Sequence, residues 1–166
     1  MVKEYVNQMY LPAVKNYKHF FDKQYVIAKE LAQWIDRVQN HWVKVKVKVS
    51  KDTLSNNSII LKYKQPLKLN CEVFLGELKP EEVKVQIYLV EDNNDFGKEK
   101  RFAEKRFELV EMEKKKNING SRYLYEATFI PSESGNYQFT IRVLPYHKDQ
   151  SSLVETGLVH WLNNAS

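Results

Sequence analysis

The hydrophobic period of this chain changes abruptly at Trp42, and that change restricts the fold to a helix followed by a sheet. Upstream, Val14, Tyr17, Phe21, Tyr25, Ala28, Leu31, Ile35, Val38 and Trp42 recur every three or four residues, along one stripe of a helix. Downstream, Val43, Val45, Val47 and Val49 alternate strictly with Lys44, Lys46 and Lys48. A period of two belongs to a strand with one dry face and one wet face.

The helical stripe predicts one helix over Ala13–His41, with no glycine or further proline to stop it. At ~1.5 Å per residue it would span roughly 40 Å. Ahead of it, Val2, Tyr5, Val6, Met9 and Tyr10 mark a shorter amphipathic stretch, which Pro12 either kinks or separates from the next helix. Aromatic residues at Tyr17, Phe20, Phe21, Tyr25 and Trp34 give the helical region more apolar surface than one sheet covers. A partner is expected against it, with Val2, Tyr5, Val6 and Met9 as the helical docking face.

Strict alternation returns in Leu67, Leu69, Cys71, Val73 and Leu75, then in Val83, Val85, Ile87 and Leu89, with a turn over Gly76–Pro80 between them. Glu91–Lys100 reads as a polar loop, and Phe107, Leu109, Val110 and Met112 as part of another strand. Asn119-Gly120 signals a hairpin into Arg122–Ile130. Pro131–Gly135 turns the chain into Tyr137–Leu144, where Tyr137, Phe139, Ile141 and Val143 alternate. Ser58–Tyr63 and Gly157–Leu162 are weaker strands. The expected fold is mainly β with α: a helical lead-in over residues 1–42 and an antiparallel, immunoglobulin-like β-sandwich over residues 43–166.

A chain of 166 residues buries enough surface to fold without staples, and with Cys71 as its single cysteine it forms no intrachain disulfide. That fits a reducing, cytoplasmic setting. The Asn-x-Ser sequons at Asn56, Asn119 and Asn164 arise readily by chance in an Asn-rich sequence. No apolar run reaches the ~20 residues a membrane span needs, and Met1–Leu11 does not read as a signal peptide. The net charge of +5 comes from scattered lysines and reads as a solvated surface rather than a nucleic-acid site.

The usual catalytic signatures are missing: the sequence has no Gly-rich phosphate loop, no Gly-x-Ser-x-Gly elbow and no His-Glu-x-x-His. His19, His41, His147 and His160 lack metal-ligand spacing, and Cys71 is expected to be buried and inert. Glu111, Glu113 and Lys114–Lys116 read as solvated charge. The Lys44, Lys46 and Lys48 stripe either binds an anionic partner or keeps an edge strand from pairing with another chain. Ser134-Gly135-Asn136-Tyr137 is similar to a tyrosine corner and reads as a packing feature. Tyr123, Tyr125, Tyr146 and Trp161 are candidates for stacking on sugar rings. No dense aromatic platform can be read from the strand faces, so binding of a sugar chain is expected to be weak or absent.

Two stretches at opposite ends carry a family resemblance. Met1-Val-Lys-Glu-Tyr-Val-Asn-Gln-Met-Tyr-Leu-Pro-Ala13 resembles the segment after the catalytic core of the shorter bacterial and archaeal α-glucan phosphorylases. Arg142-Val-Leu-Pro-Tyr-His147 and Glu155-Thr-Gly-Leu-Val-His-Trp161 resemble their extreme carboxy terminus. The resemblance implies a parent enzyme that uses lysine-bound pyridoxal phosphate to phosphorolyse α-1,4-glucans. The cofactor and catalytic residues would lie upstream, so no catalytic, cofactor or metal site is expected in this chain. It would be a non-catalytic accessory domain for docking, assembly or stability, whose partner is the upstream catalytic domain. Arg142, His147, Glu155 and Trp161 become candidate docking or glucan contacts, and a free chain is expected to self-associate or fray at its amino terminus. The alternatives are a glucan-binding module and an unrelated immunoglobulin-like interaction domain.

Overall fold

The computed structural model describes residues 25–49, 58–91 and 107–162. The docking face Val2, Tyr5, Val6 and Met9, the aromatics Tyr17, Phe20 and Phe21, His19, and most of the polar loop after Glu91 lie outside them.

One α-helix is described, α1 (Val26–His41), which buries Leu31, Trp34 and Val38. The helix expected over Ala13–His41 does not run through Tyr25, whose φ of 63° is left-handed. That conformation costs a non-glycine residue about 1–2 kcal/mol. Side-chain spacing cannot register such a break, because it reports which residues share a stripe and not where the backbone reverses its twist. At its other end α1 passes into a 3₁₀ turn over Trp42–Lys44. The turn shifts the phase of the alternation, so Val43 is 82% exposed instead of facing inward. The expected strand over residues 42–49 shortens to β1 (Lys46–Lys48), with Val45 and Val47 buried.

Seven more strands follow among the described residues: β2 (Ser58–Leu61), β3 (Leu67–Phe74), β4 (Val83–Glu91), β5 (Phe107–Asn119), β6 (Arg122–Phe129), β7 (Gly135–Pro145) and β8 (His160–Trp161). All pairings are antiparallel, in the order β1-β3-β6-β5-β4-β7-β2, with β8 added beside β7. The antiparallel sheet and its amino-terminal helix match the sequence reading. The path is one continuous sheet curled almost into a barrel, and nothing in it singles out the immunoglobulin order. β5 makes the curl, pairing through Phe107–Met112 with β4 and through Glu113–Asn119 with β6. Register shifts at Lys114/Lys116 and Asn117/Asn119 bend its second half. At the far seam β1 lies close to β7 and β8.

The inward positions are those the alternation names: Leu69, Cys71, Val73, Val85, Ile87, Leu89, Phe139, Ile141 and Val143 are all buried. Leu31, Trp34, Val38 and Trp42 join the same cluster, so the helix closes the core of the curled sheet. Tyr137 packs against that core, as the packing reading of Ser134–Tyr137 requires.

Two carboxylates fasten the helix. Arg37 forms a double contact with Glu82, which also accepts the Lys79 amide at 2.8 Å, while the Glu82 carbonyl accepts the Tyr146 amide at 2.7 Å. Glu77 receives His41 Nδ1 at 3.3 Å and Lys44 Nζ at 2.5 Å. The turn carrying it needs Gly76: φ is +61°, and a Cβ there would stand 3.1 Å from that of Lys44.

Three outcomes follow from this packing. Trp34→Ala should destabilise the chain by about 3–5 kcal/mol in urea unfolding, since it opens a cavity between helix and sheet. A change under about 1 kcal/mol would mean that the helix is not part of the core. Burial pushes the Cys71 thiol up to about 12, so labelling of the native protein should be slow and accelerate only with denaturant. The third concerns acid. The Lys44 hydrogen bond, aided by the charge of His41, holds Glu77 below its ordinary 4.5, although hydration loss opposes it. A lowered carboxylate contributes stability above about pH 4.5 and loses it as pH falls through the folded-state value. Glu77→Gln should lower Tm slightly at neutral pH, the side chain being exposed, and the difference should vanish near about pH 3. An equal difference at both pH values would contradict the ion-pair role.

Candidate functional site

On the outer face of the β5-β4-β7-β8 half, register alignment brings Glu111, Gln86, Arg142 and Trp161 into one row. Arg142 Nε donates to Gln86 Oε1 at 3.0 Å. Its guanidinium carbon lies 5.7 Å from the ring centroids of both Tyr88 and Trp161. Tyr88 meets Trp161 edge-on at 6.0 Å and stacks with Phe107 at 5.7 Å, the latter planes inclined by 17°. A planar cation held against two rings is restrained before any partner arrives. No carboxylate among the described residues pairs with Arg142, and the nearest in the row, Glu111, is paired with Lys84. Beside this clamp, Phe107, Leu109 and Trp161 are 58%, 45% and 38% exposed.

The structure therefore joins Arg142 and Trp161 and separates the other two motif residues. His147 packs under the helix, 5.1 Å from the Trp34 ring, with Nδ1 3.6 Å from Asp149 and its amide donating to Gln150. Glu155 closes a local loop by accepting the amide and hydroxyl of Ser151 at 2.8 and 2.9 Å. Sequence reasoning missed Gln86, Tyr88 and Phe107. Alternation in β4 already sends Gln86 and Tyr88 outward. What it lacks is the knowledge that β7 and β8 lie next to β4, and the register that turns Phe107 outward.

The remaining candidates resolve one by one. Tyr125 is buried, which removes it as a sugar-stacking residue, and burial raises its hydroxyl pKa. Tyr123 packs against the core, and Tyr146 lies under Lys84. Lys44 leaves the lysine stripe to bind Glu77, while Lys46 and Lys48 sit on β1 at the end of the sheet path, where charge discourages edge pairing. With Glu72, Phe74 and Arg122 they line a surface hollow of about 250 Å³. Burial, helped by Lys46 across the seam, lowers the pKa of His160.

A second cleft, about 360 Å³, opens where β5 leaves β4 for β6; Pro80, Val83, Met112, Tyr125 and Tyr146 line it, and the pair Lys114–Glu81 (2.9 Å) is among its charged residues. Among the described residues no group of three or more His, Cys, Asp or Glu is placed to hold a metal. The lysines in these hollows are exposed or paired with carboxylates. No described helix is long and apolar enough to cross a membrane.

Comparison with known proteins places these features in a family. The glycogen phosphorylase C-terminal domain family matches residues 42–163. Maltodextrin phosphorylase of Thermococcus litoralis is 26% identical over 97% of this chain. Glycogen phosphorylases of Mycobacterium bovis and Mycobacterium tuberculosis are each 28% identical over 96% of it. The chain spans 18% of the length of each of these relatives. The match takes in every described strand, from β1 to β8, so the curled sheet is the family's module and this chain belongs to the glycogen phosphorylase C-terminal domain family.

Proposed function

We infer that this chain is a non-catalytic accessory domain of an α-1,4-glucan phosphorylase and that it supports the docking, assembly or stability of that enzyme. The observation that carries the reading is the filled interior of its sheet. Leu69, Cys71, Val73, Val85, Ile87, Ile141 and Val143 pack the curl to 2% exposure or less, so what the domain does for a partner happens on its outer surface. A solid core flanked by open surface hollows among the described residues suits a scaffold better than a reaction site.

The expected partner is the catalytic portion of the polypeptide, in the cytoplasm, with pyridoxal phosphate held there. Glucan contact is the second reading. Its one supporting observation is the exposed ring of Trp161, and it is weakened because Tyr88 and Phe107 already stack on each other.

The chain alone, given pyridoxal phosphate, maltoheptaose and inorganic phosphate, should release no glucose 1-phosphate. Removing it from the complete enzyme should shorten the thermal half-life of phosphorolysis. Turnover by the isolated chain, or a half-life indifferent to its removal, would overturn the reading.

A further inference from the structure

We propose that the outer face of β5-β4-β7-β8 is the surface that the catalytic portion of the phosphorylase polypeptide covers, with the guanidinium of Arg142 receiving a carboxylate from it. The proposal rests on the accessory-domain reading above and deepens it by naming the face and the contact.

Three features of the face point to a protein partner. Its composition is that of an interface anchor, since Trp, Tyr and Arg are enriched where binding energy concentrates. Its geometry is prepared: Arg142 is held by Gln86, Tyr88 and Trp161, so little side-chain freedom remains to be lost on contact. Its chemistry is incomplete. The Nε of Arg142 is satisfied by a neutral amide, and no carboxylate among the described residues answers the terminal nitrogens. A planar guanidinium amid apolar side chains takes a carboxylate through two parallel hydrogen bonds. Phe107, Leu109 and Trp161 then supply the apolar surround that excludes water.

Other occupants fit less well. A second copy laid face to face would bring one Arg142, which no described carboxylate pairs, towards another, while Glu111 is already paired with Lys84. A sugar ring needs a free aromatic face, and the stacking of Tyr88 on Phe107, with the guanidinium against Tyr88 and Trp161, occupies several of those faces. The catalytic portion is at hand: the chain spans 18% of each matched relative, so most of those proteins lies outside the region it matches.

Hydroxyl-radical footprinting of the 166-residue chain and of the complete phosphorylase polypeptide carrying it reads the face directly. Oxidation of Phe107, Leu109 and Trp161 should fall about fivefold or more in the complete polypeptide, as for side chains at an interface core. Phe74 and Tyr63, away from the face, serve as references. Arg142→Glu should restore oxidation to the level of the isolated chain. The pair Phe107→Ser with Leu109→Ser should do the same for Trp161, and each variant chain should melt like the parent when isolated.

Unchanged oxidation in the complete polypeptide overturns the proposal, as does protection that survives Arg142→Glu. Protection of the isolated chain by maltoheptaose assigns the face to a saccharide instead, and protection that grows with concentration assigns it to a second copy. A complete polypeptide without phosphorolytic activity sinks the accessory-domain reading itself. Activity with these side chains still fully oxidised sinks only this proposal.

Discussion

One thirteen-residue strand, β5, joins the two halves of the sheet. Its first part completes the edge of β4 and its second part the edge of β6, so the curl exists only because one backbone belongs to both. A strand shared in this way must bend, and the register shifts in its second half supply the bend. The result brings Leu69, Cys71 and Val73 of β3 into one core with Val85 and Ile87 of β4. Met112 shows the arrangement at the level of atoms: it pairs with Val85 in one half, and its sulfur lies 3.7 Å from Cys71 Sγ in the other.

The helix depends on that curl. Leu31, Trp34 and Val38 have an apolar surface to cover only because both halves present their inner faces at the same place. Hydrophobic burial is non-directional and would let the helix slide or rotate on such a surface. Glu82 and Glu77 remove that freedom, the first fixing Arg37 and the second fixing the last turn through His41 and Lys44. Exposed ion pairs contribute little stability individually. Here their value is orientation, since both sit on the connection between β3 and β4.

A packed interior also decides where function can reside. A module whose core is filled by its own side chains interacts through what its outward positions carry, and among the described residues these include paired charges such as Lys115–Glu113 and Lys68–Glu126. The face around Arg142 differs from these pairs, with a cation restrained by Gln86, Tyr88 and Trp161 beside the exposed rings of Phe107 and Trp161.

Much of this was legible in the residues. Alternation named the buried positions of β3, β4 and β7, and Asn119-Gly120 named the hairpin, where Gly120 takes φ +54°. The end motifs named the family, because Arg142 to His147 and Glu155 to Trp161 are specific strings. Sequence could not show that Tyr25 takes a left-handed conformation ahead of the described helix, that Val43 leaves the strand, or that Arg142 and Trp161 meet while His147 and Glu155 go elsewhere. Local periodicity is a property of consecutive side chains, set by pleat and helical pitch. Which strands become neighbours, and in what register, is set by how the whole apolar set closes into one core. In β3, β4 and β7 the sequence by itself determined which side chains face inward, because the pleat fixes alternation locally, and tertiary structure alone decided which outward ones meet.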